Sequence, residues 1–164
     1  MTRTRTYSWG DAQELAKASR GMTGLEFNHF LMDGGETTPI PMFSTMGFRF
    51  AEVEHGRIVI VGEVGEHLYN PIGVVHGGVA ATLLDSVAAS AVHSVLPAGT
   101  SYTSLDLSVK FLRPILADTG TLRAIGTVIT RGTRTALAQA ELRDPADRLL
   151  AHATSSCMLF PTDT

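Results

Sequence analysis

The sequence predicts an α+β chain: a curved antiparallel sheet of about six strands wrapped around one long central helix, with further helices in front. Three observations carry this. Residues 76–96, H-G-G-V-A-A-T-L-L-D-S-V-A-A-S-A-V-H-S-V-L, are apolar on nearly every side, and a helix without a polar face is a buried one. Strand-like segments stand together before and after it rather than alternating with helices, which is the α+β arrangement. The links between the later segments are short enough for hairpins. A curved sheet and an all-apolar helix then bury each other.

From the N-terminus, residues 11–33 read as two helices, D-A-Q-E-L-A-K-A-S-R and T-G-L-E-F-N-H-F-L-M-D. Asp11 and Thr23 are N-caps by residue type, and Gly21 and Gly34-Gly35 are stops. Pro39 and Pro41 make residues 36–45 an extended connection. Residues 46–54 and 57–64 are two strands about a turn at His55-Gly56. The loop 65–75 carries Asn70-Pro71 and Gly73, and Pro97 and Gly99 close the long helix. In S-L-D-L-S-V-K-F, alternation places Leu105, Leu107, Val109 and Phe111 on one face and Ser104, Asp106, Ser108 and Lys110 on the other. Strands at 119–131, 133–143 and 148–160 complete the sheet, with turns at Arg131-Gly132 and Asp144-Pro145-Ala146-Asp147. Residues 1–45 are expected to form an N-terminal helical extension, and residues 46–164 the main domain.

Composition narrows the function. A net charge of −3 supplies no broad basic surface for nucleic acid or an anionic membrane. The single cysteine, Cys157, excludes a disulfide framework and a Cys-rich zinc site, and fits a reducing, cytoplasmic setting. The start, M-T-R-T-R-T-Y-S-W, is basic, but no apolar run follows it as in a secretory signal. Residues 79–96 are long enough to raise a membrane span, but Asp85, His93 and three serines favour a buried helix. There is no G-x-S-x-G, dinucleotide fingerprint or phosphate loop, and no histidine spacing that reads as a metal site.

The chemistry concentrates at the long helix. A helix start presents unpaired N–H groups and partial positive charge, and glycines there let a ligand come close. A carbonyl oxygen set against the Gly77 or Gly78 N–H would be stabilised as an oxyanion. The plain alternative is a tight Gly-Gly turn into the helix. Asp85 is a lone carboxylate, and Gly78, Ala81, Thr82, Ala88, Ala89 and Val92 around it are all small. That stripe leaves room for a ligand or another chain, which would desolvate the carboxylate and make it a better base. Its alternative is a structural Asp bonded to a hydroxyl or to the backbone. Asn70, one of two asparagines, is a carbonyl donor or simply a turn residue before proline. His76 caps the helix, touches substrate or packs. Gly77 and Asp85 stand eight residues apart, about 12 Å along a helix, so one carbonyl cannot reach both. If both act on one centre, the second comes from a partner helix, and the assembly is a homodimer with two shared sites.

N-P-I-G-V-V-H-G-G-V-A-A-T-L-L-D, residues 70–85, resembles the signature of the hotdog-fold acyl-CoA thioesterases of the phenylacetate-degradation type, a family that includes the mammalian thioesterase superfamily member 2. The resemblance runs from about Met46 to Leu159, through T-S-L-D-L-S-V-K-F-L-R-P and R-G-T-R-T. It implies a hotdog fold, dimers and commonly dimers of dimers. It also implies hydrolysis of a CoA thioester with no metal and no cofactor besides the CoA of the substrate. By family role, Asn70 and the Gly77 N–H polarise the thioester carbonyl, and Asp85 of the partner chain is general base or nucleophile. Ser104 orients water or the Asp, and His76 matches the motif histidine. Gly78 and Thr82 are expected beside the substrate. Lys110, Arg113, Arg131 and Arg134 are candidates for the CoA phosphates, although solvated surface charge is the ordinary role of each. Phe27, Phe30, Leu31, Met32, Met42 and Phe43 are candidates for the acyl end of the pocket, or pack the added helices. The competing readings are a non-catalytic acyl-CoA-binding hotdog protein and a hotdog enoyl-CoA hydratase or dehydratase.

Overall fold

The computed structural model describes residues 2–34 and 39–162. Helix α1 (Ala12–Ala18) and helix α2 (Gly24–Asp33) begin where the sequence caps them. The Asp11 carboxylate accepts the Gln13 N–H, and Thr23 forms a reciprocal capping box with Glu26. Gly34 caps the end of α2, while Gly35 lies outside the described residues. The connection read as extended over 36–45 differs from expectation. Its first residues lie outside the described ones, and its end is a short helix, α3 (Pro41–Met46). Pro41 sits at the first helical position, where no N–H is required and its fixed φ suits a helix. Gly47, at φ 77°, stops the helix in the left-handed region.

The strands are β1 (Phe48–Glu54), β2 (Arg57–Gly62), β3 (Thr100–Ser104), β4 (Ser108–Phe111), β5 (Leu122–Arg131), β6 (Thr135–Arg143) and β7 (Leu149–Pro161). They form one antiparallel sheet in the order β1-β2-β5-β6-β7-β3, with β4 also on β7. The long helix α4 (Gly77–Ser94) lies in its concave face, packed on β2, β5, β6 and β7. Fully buried Ala124, Ala138, Ala140 and Ala153 make the floor shallow enough for it. At Gly126 a Cβ would stand 2.3 Å from the Val87 carbonyl oxygen, so the helix backbone rests directly on β5 there. Helix α2 covers the C-terminal half of α4. The Gly24 N–H donates to the Leu96 carbonyl at 3.0 Å, and buried Asn28 donates to the Ser90 carbonyl at 2.9 Å.

Seven strands appear in place of about six because the strand expected through 104–111 is broken. Ser104 pairs with Cys157 and Ser108 with Thr154, so three residues on one strand face two on β7. The extra residue is a bulge. Asp106 holds it: its carbonyl accepts the Ser155 hydroxyl at 2.8 Å, and its carboxylate accepts the Ser156 N–H at 3.2 Å. One extra residue reverses the alternation. Ser104, expected opposite Val109 and Phe111, therefore shares their helix-facing side, paired with buried Cys157, as Val109 and Phe111 are with Ala153 and Ala151. Leu105, expected on the face of Val109 and Phe111, is 56% exposed.

Candidate active site

Strands β3 and β4 run along α4 in the opposite sense, and their inward residues meet it in turn. The Tyr102 ring lies 5.1 Å from the His93 ring, Ser104 meets Asp85, and a Cβ on Gly77 would come 3.3 Å from the Phe111 ring. The edge of the sheet thus lines the side of α4 that α2 leaves uncovered.

At the start of α4 the loop 65–76 prepares two donors. The Asn70 carboxamide oxygen accepts the N–H groups of Ile72 at 3.1 Å and Val74 at 3.3 Å. Its oxygen is therefore tied into the turn, and its Nδ2 has no partner among the described residues. His76 is the N-cap of α4, with Nδ1 accepting the Gly78 N–H at 2.9 Å. That bond puts the proton of the neutral imidazole on Nε2. The His76 carbonyl takes the Val79 N–H at 2.9 Å. Among the described residues the Gly77 N–H is left without an acceptor, so the cap itself separates Gly77 from Gly78. The Asn70 turn and the His76 cap are both formed, and neither bond uses the Asn70 Nδ2 or the Gly77 N–H.

Asp85 lies two turns further along α4. Its Oδ1 accepts the Ser104 hydroxyl at 3.1 Å. The carboxylate is only half-buried in the single chain, in a hollow of about 400 Å³ lined by Ala81, Thr82, Asp85, Ser104, Leu105, Asp106 and Leu107. Gly77 and Asn70 do not line it. Of the small stripe, Gly78, Ala81 and Thr82 reach the open side, while Ala88 and Val92 are fully buried against the core. The Thr82 hydroxyl donates back to the Gly78 carbonyl at 2.8 Å and so serves the helix.

Two residues that were not among the sequence candidates for the site belong to this region. Burial, with the Cys157 thiol and the Asp85 carboxylate adding to it, pushes the Tyr102 phenol up to about 12, so it stays a neutral O–H. Burial also pushes the Cys157 thiol up, while a hydrogen bond with Ser104 opposes this. Tyr102 stands two residues before Ser104 and so on the same strand face, a signal that could have found it. Alternation had already set Phe111 on the apolar face, but nothing local signalled its approach to Gly77.

The four candidate cations are not gathered in one chain. Lys110 is exposed on β4, and Arg113 donates to the Leu149 carbonyl at 2.6 Å. Arg131 and Arg134 flank the β5–β6 turn, and Arg131 lines a hollow with Val95, Leu96 and Pro97 at the far end of α4 from Gly77. Of the candidate acyl-lining residues, Leu31, Met32 and Phe43 line a cavity of about 390 Å³ with Ile40, Phe48 and Phe50. That cavity adjoins β1, at the opposite edge of the sheet from β3. Phe27 packs on His93 and stacks on Phe30, and Met42 is 53% exposed. Among the described residues no helix is long and apolar enough to cross a membrane.

Comparison with known proteins gives this arrangement its family. The sequence model of the thioesterase superfamily matches residues 72–151, which include His76, Gly77, Asp85 and Ser104. A candidate esterase of Halobacterium salinarum is 38% identical over 84 residues, 50% of this chain and 54% of the relative. The chain spans little more than half the length of the curated relatives it matches, 54% and 60%. A phenylacetic acid degradation-related protein of Ralstonia eutropha JMP134 superposes with a TM-score of 0.71 at 30% identity, covering 80% of this chain and 98% of that one. The Escherichia coli PaaI protein, from the phenylacetic acid degradation operon, superposes with a TM-score of 0.72 over 85% of this chain and 99% of its own. At 22% identity that likeness is one of fold alone. With a helix cradled in an antiparallel sheet, a matching family model and a homologous structure aligned nearly end to end, the chain belongs to the thioesterase superfamily and has the hotdog fold.

Proposed function

We propose that the protein hydrolyses an acyl-CoA thioester to the free acid and CoA, without a metal, at two sites each shared between two subunits. The observation that carries this reading is the separation along one helix of two complementary half-sites: the Gly77 N–H, without an acceptor among the described residues and preceded by the Asn70 loop, and the Asp85–Ser104 pair about 12 Å away. Each lacks what the other has. An antiparallel neighbour brings Asn70 and Gly77 of one chain to Asp85 of the other. The unpaired edge of β3 and β4, with Leu105, Phe111 and Leu112 more than half exposed, supports a second copy there.

In this reading the thioester oxygen sits between the Gly77 N–H and Asn70 Nδ2, both donors set for the charge that develops. Asp85 takes a proton from water, whose oxygen attacks the carbonyl carbon. The tetrahedral oxyanion collapses, the C–S bond breaks, and the proton passes to the CoA thiolate. Alternatively the carboxylate attacks first, and water then hydrolyses the mixed anhydride. Label found in Asp85 after a single turnover in oxygen-18 water identifies the second route with water attacking the aspartyl carbonyl, because the first route never labels Asp85. Ser104 fixes the carboxylate rotamer in either case.

Asp85→Asn keeps the shape and the bond to Ser104 while removing the base. It is expected to lower kcat by about 10²- to 10⁴-fold, with the melting temperature and oligomer size unchanged. Release of free CoA at the wild-type rate would remove Asp85 from the mechanism.

A further inference from the structure

Residues 2–10 have neither helix nor strand, yet the segment is held at three points. Arg3 pairs with Glu66, Arg5 donates to the Thr45 carbonyl at 2.7 Å, and the Gly10 N–H donates to the Pro39 carbonyl at 2.8 Å. Its sequence alternates: Arg3, Arg5, Tyr7 and Trp9 are separated by Thr4, Thr6 and Ser8. In extended chain, alternate residues share a face. The contacts agree, since the Arg5 guanidinium lies 5.7 Å from the centre of the Tyr7 ring, and the Tyr7 and Trp9 rings are 6.0 Å apart. Both rings are open to solvent, Tyr7 at 45% and Trp9 at 60%.

Two cations followed by two open aromatic faces on one side of a strap are the chemistry that takes phosphates together with a planar base. The strap is also in the right place. Arg3, Thr4, Arg5, Glu66 and His67 line a hollow of about 520 Å³. His67 precedes Leu68, whose carbonyl accepts the His76 N–H at 2.8 Å, and Asn70 follows three residues later. The hollow therefore opens on the loop that aims Asn70 and Gly77. Burial and, after it, the nearby Arg5 hold the His67 imidazole below the usual histidine range, and a bound anion would offset the Arg5 effect. The Arg3–Glu66 pair is exposed on both sides and contributes little, so a phosphate can displace it.

We propose that this strap is the subsite for the nucleotide end of the CoA thioester, with Arg3 and Arg5 on the phosphates and Tyr7 and Trp9 on the adenine. This rests on the thioesterase reading above. It gives the phosphates a binding place against the loop that leads to the thioester donors, which Arg131 and Arg134 of one chain do not.

Trp9 is the single tryptophan, so its fluorescence reports this site alone. Titration of the full chain with adenosine 3′,5′-bisphosphate is expected to quench it saturably, with affinity falling about tenfold or more when Arg3→Ala and Arg5→Ala are combined. Should that variant lose its fold, Trp9→Leu followed by calorimetry is expected to weaken the same ligand. In kinetics, the ratio of kcat/KM for an acyl-CoA to that for the matching acyl-pantetheine falls about tenfold in the arginine variant. Absent quenching, competition by inorganic tripolyphosphate as strong as by the nucleotide, or an unchanged ratio overturns the subsite. If neither thioester is hydrolysed, it is the thioesterase reading that fails, and the nucleotide titration still decides the strap.

Discussion

Asn70 and His76 are each tied at one end, and the tie decides which atom is left for the proposed chemistry. The Asn70 oxygen holds the Ile72 and Val74 N–H groups, which leaves Nδ2 outward. Asn70→Asp separates the two roles: a carboxylate still accepts both N–H groups, so the loop keeps its shape, but the donor is gone. The expected result is a melting temperature close to wild type with kcat lowered about 10²- to 10³-fold, the loss seen when one oxyanion donor is removed. A normal rate would mean that Asn70 only shapes the turn. The residue types at positions 70, 76, 77 and 85 were legible in the sequence. From the residues alone Gly77 and Gly78 stood level and only the resemblance named Gly77; the physical difference between them depends on which N–H the His76 ring captures. Two neighbouring glycines look alike until the cap is formed.

At the scale of elements, the sequence patterns located the long helix and most strands to within a few residues, since hydrophobic period and turn residues are local signals. They missed two features for physical reasons. Prolines at 39 and 41 read as extended chain, yet a proline at the first helical position starts α3. The alternation through 104–111 looked unbroken, and the bulge that reverses it is set by Asp106 bonding to β7 about 50 residues away. Without that reversal Ser104 would face away from Asp85. The contact of α2 and β3 with α4 also has a measurable signature. His93 is held between the Phe27 ring at 5.8 Å and the Tyr102 ring at 5.1 Å. Burial keeps its imidazole below the usual histidine range. A group whose pKa is depressed by folding contributes stability above its unfolded value and loses it as pH falls. Between about pH 7 and pH 5 the wild-type melting temperature should therefore drop more steeply than that of His93→Phe. Parallel curves would show that His93 protonates in the folded chain as easily as in the unfolded one.

For the whole molecule, the open question of design is why so apolar a helix carries a half-buried carboxylate at an unpaired sheet edge. The proposed shared site would answer it, because a partner over that edge would also cover Asp85 and supply the donors. The arrangement has a consequence that no single-chain site imitates. Asp85→Asn removes the base from its own chain's half-site, and Asn70→Asp removes a donor from the other kind. Each homodimer is then inactive at both positions. When the two variants are unfolded together and refolded, about half of the dimers should be mixed, and each mixed dimer has one site with neither defect and one with both. Activity should return to about a quarter of the wild-type value per subunit. If Asn70, Gly77 and Asp85 of the same chain formed one site, every site in the mixture would carry a defect, and the refolded mixture would stay as inactive as its parents.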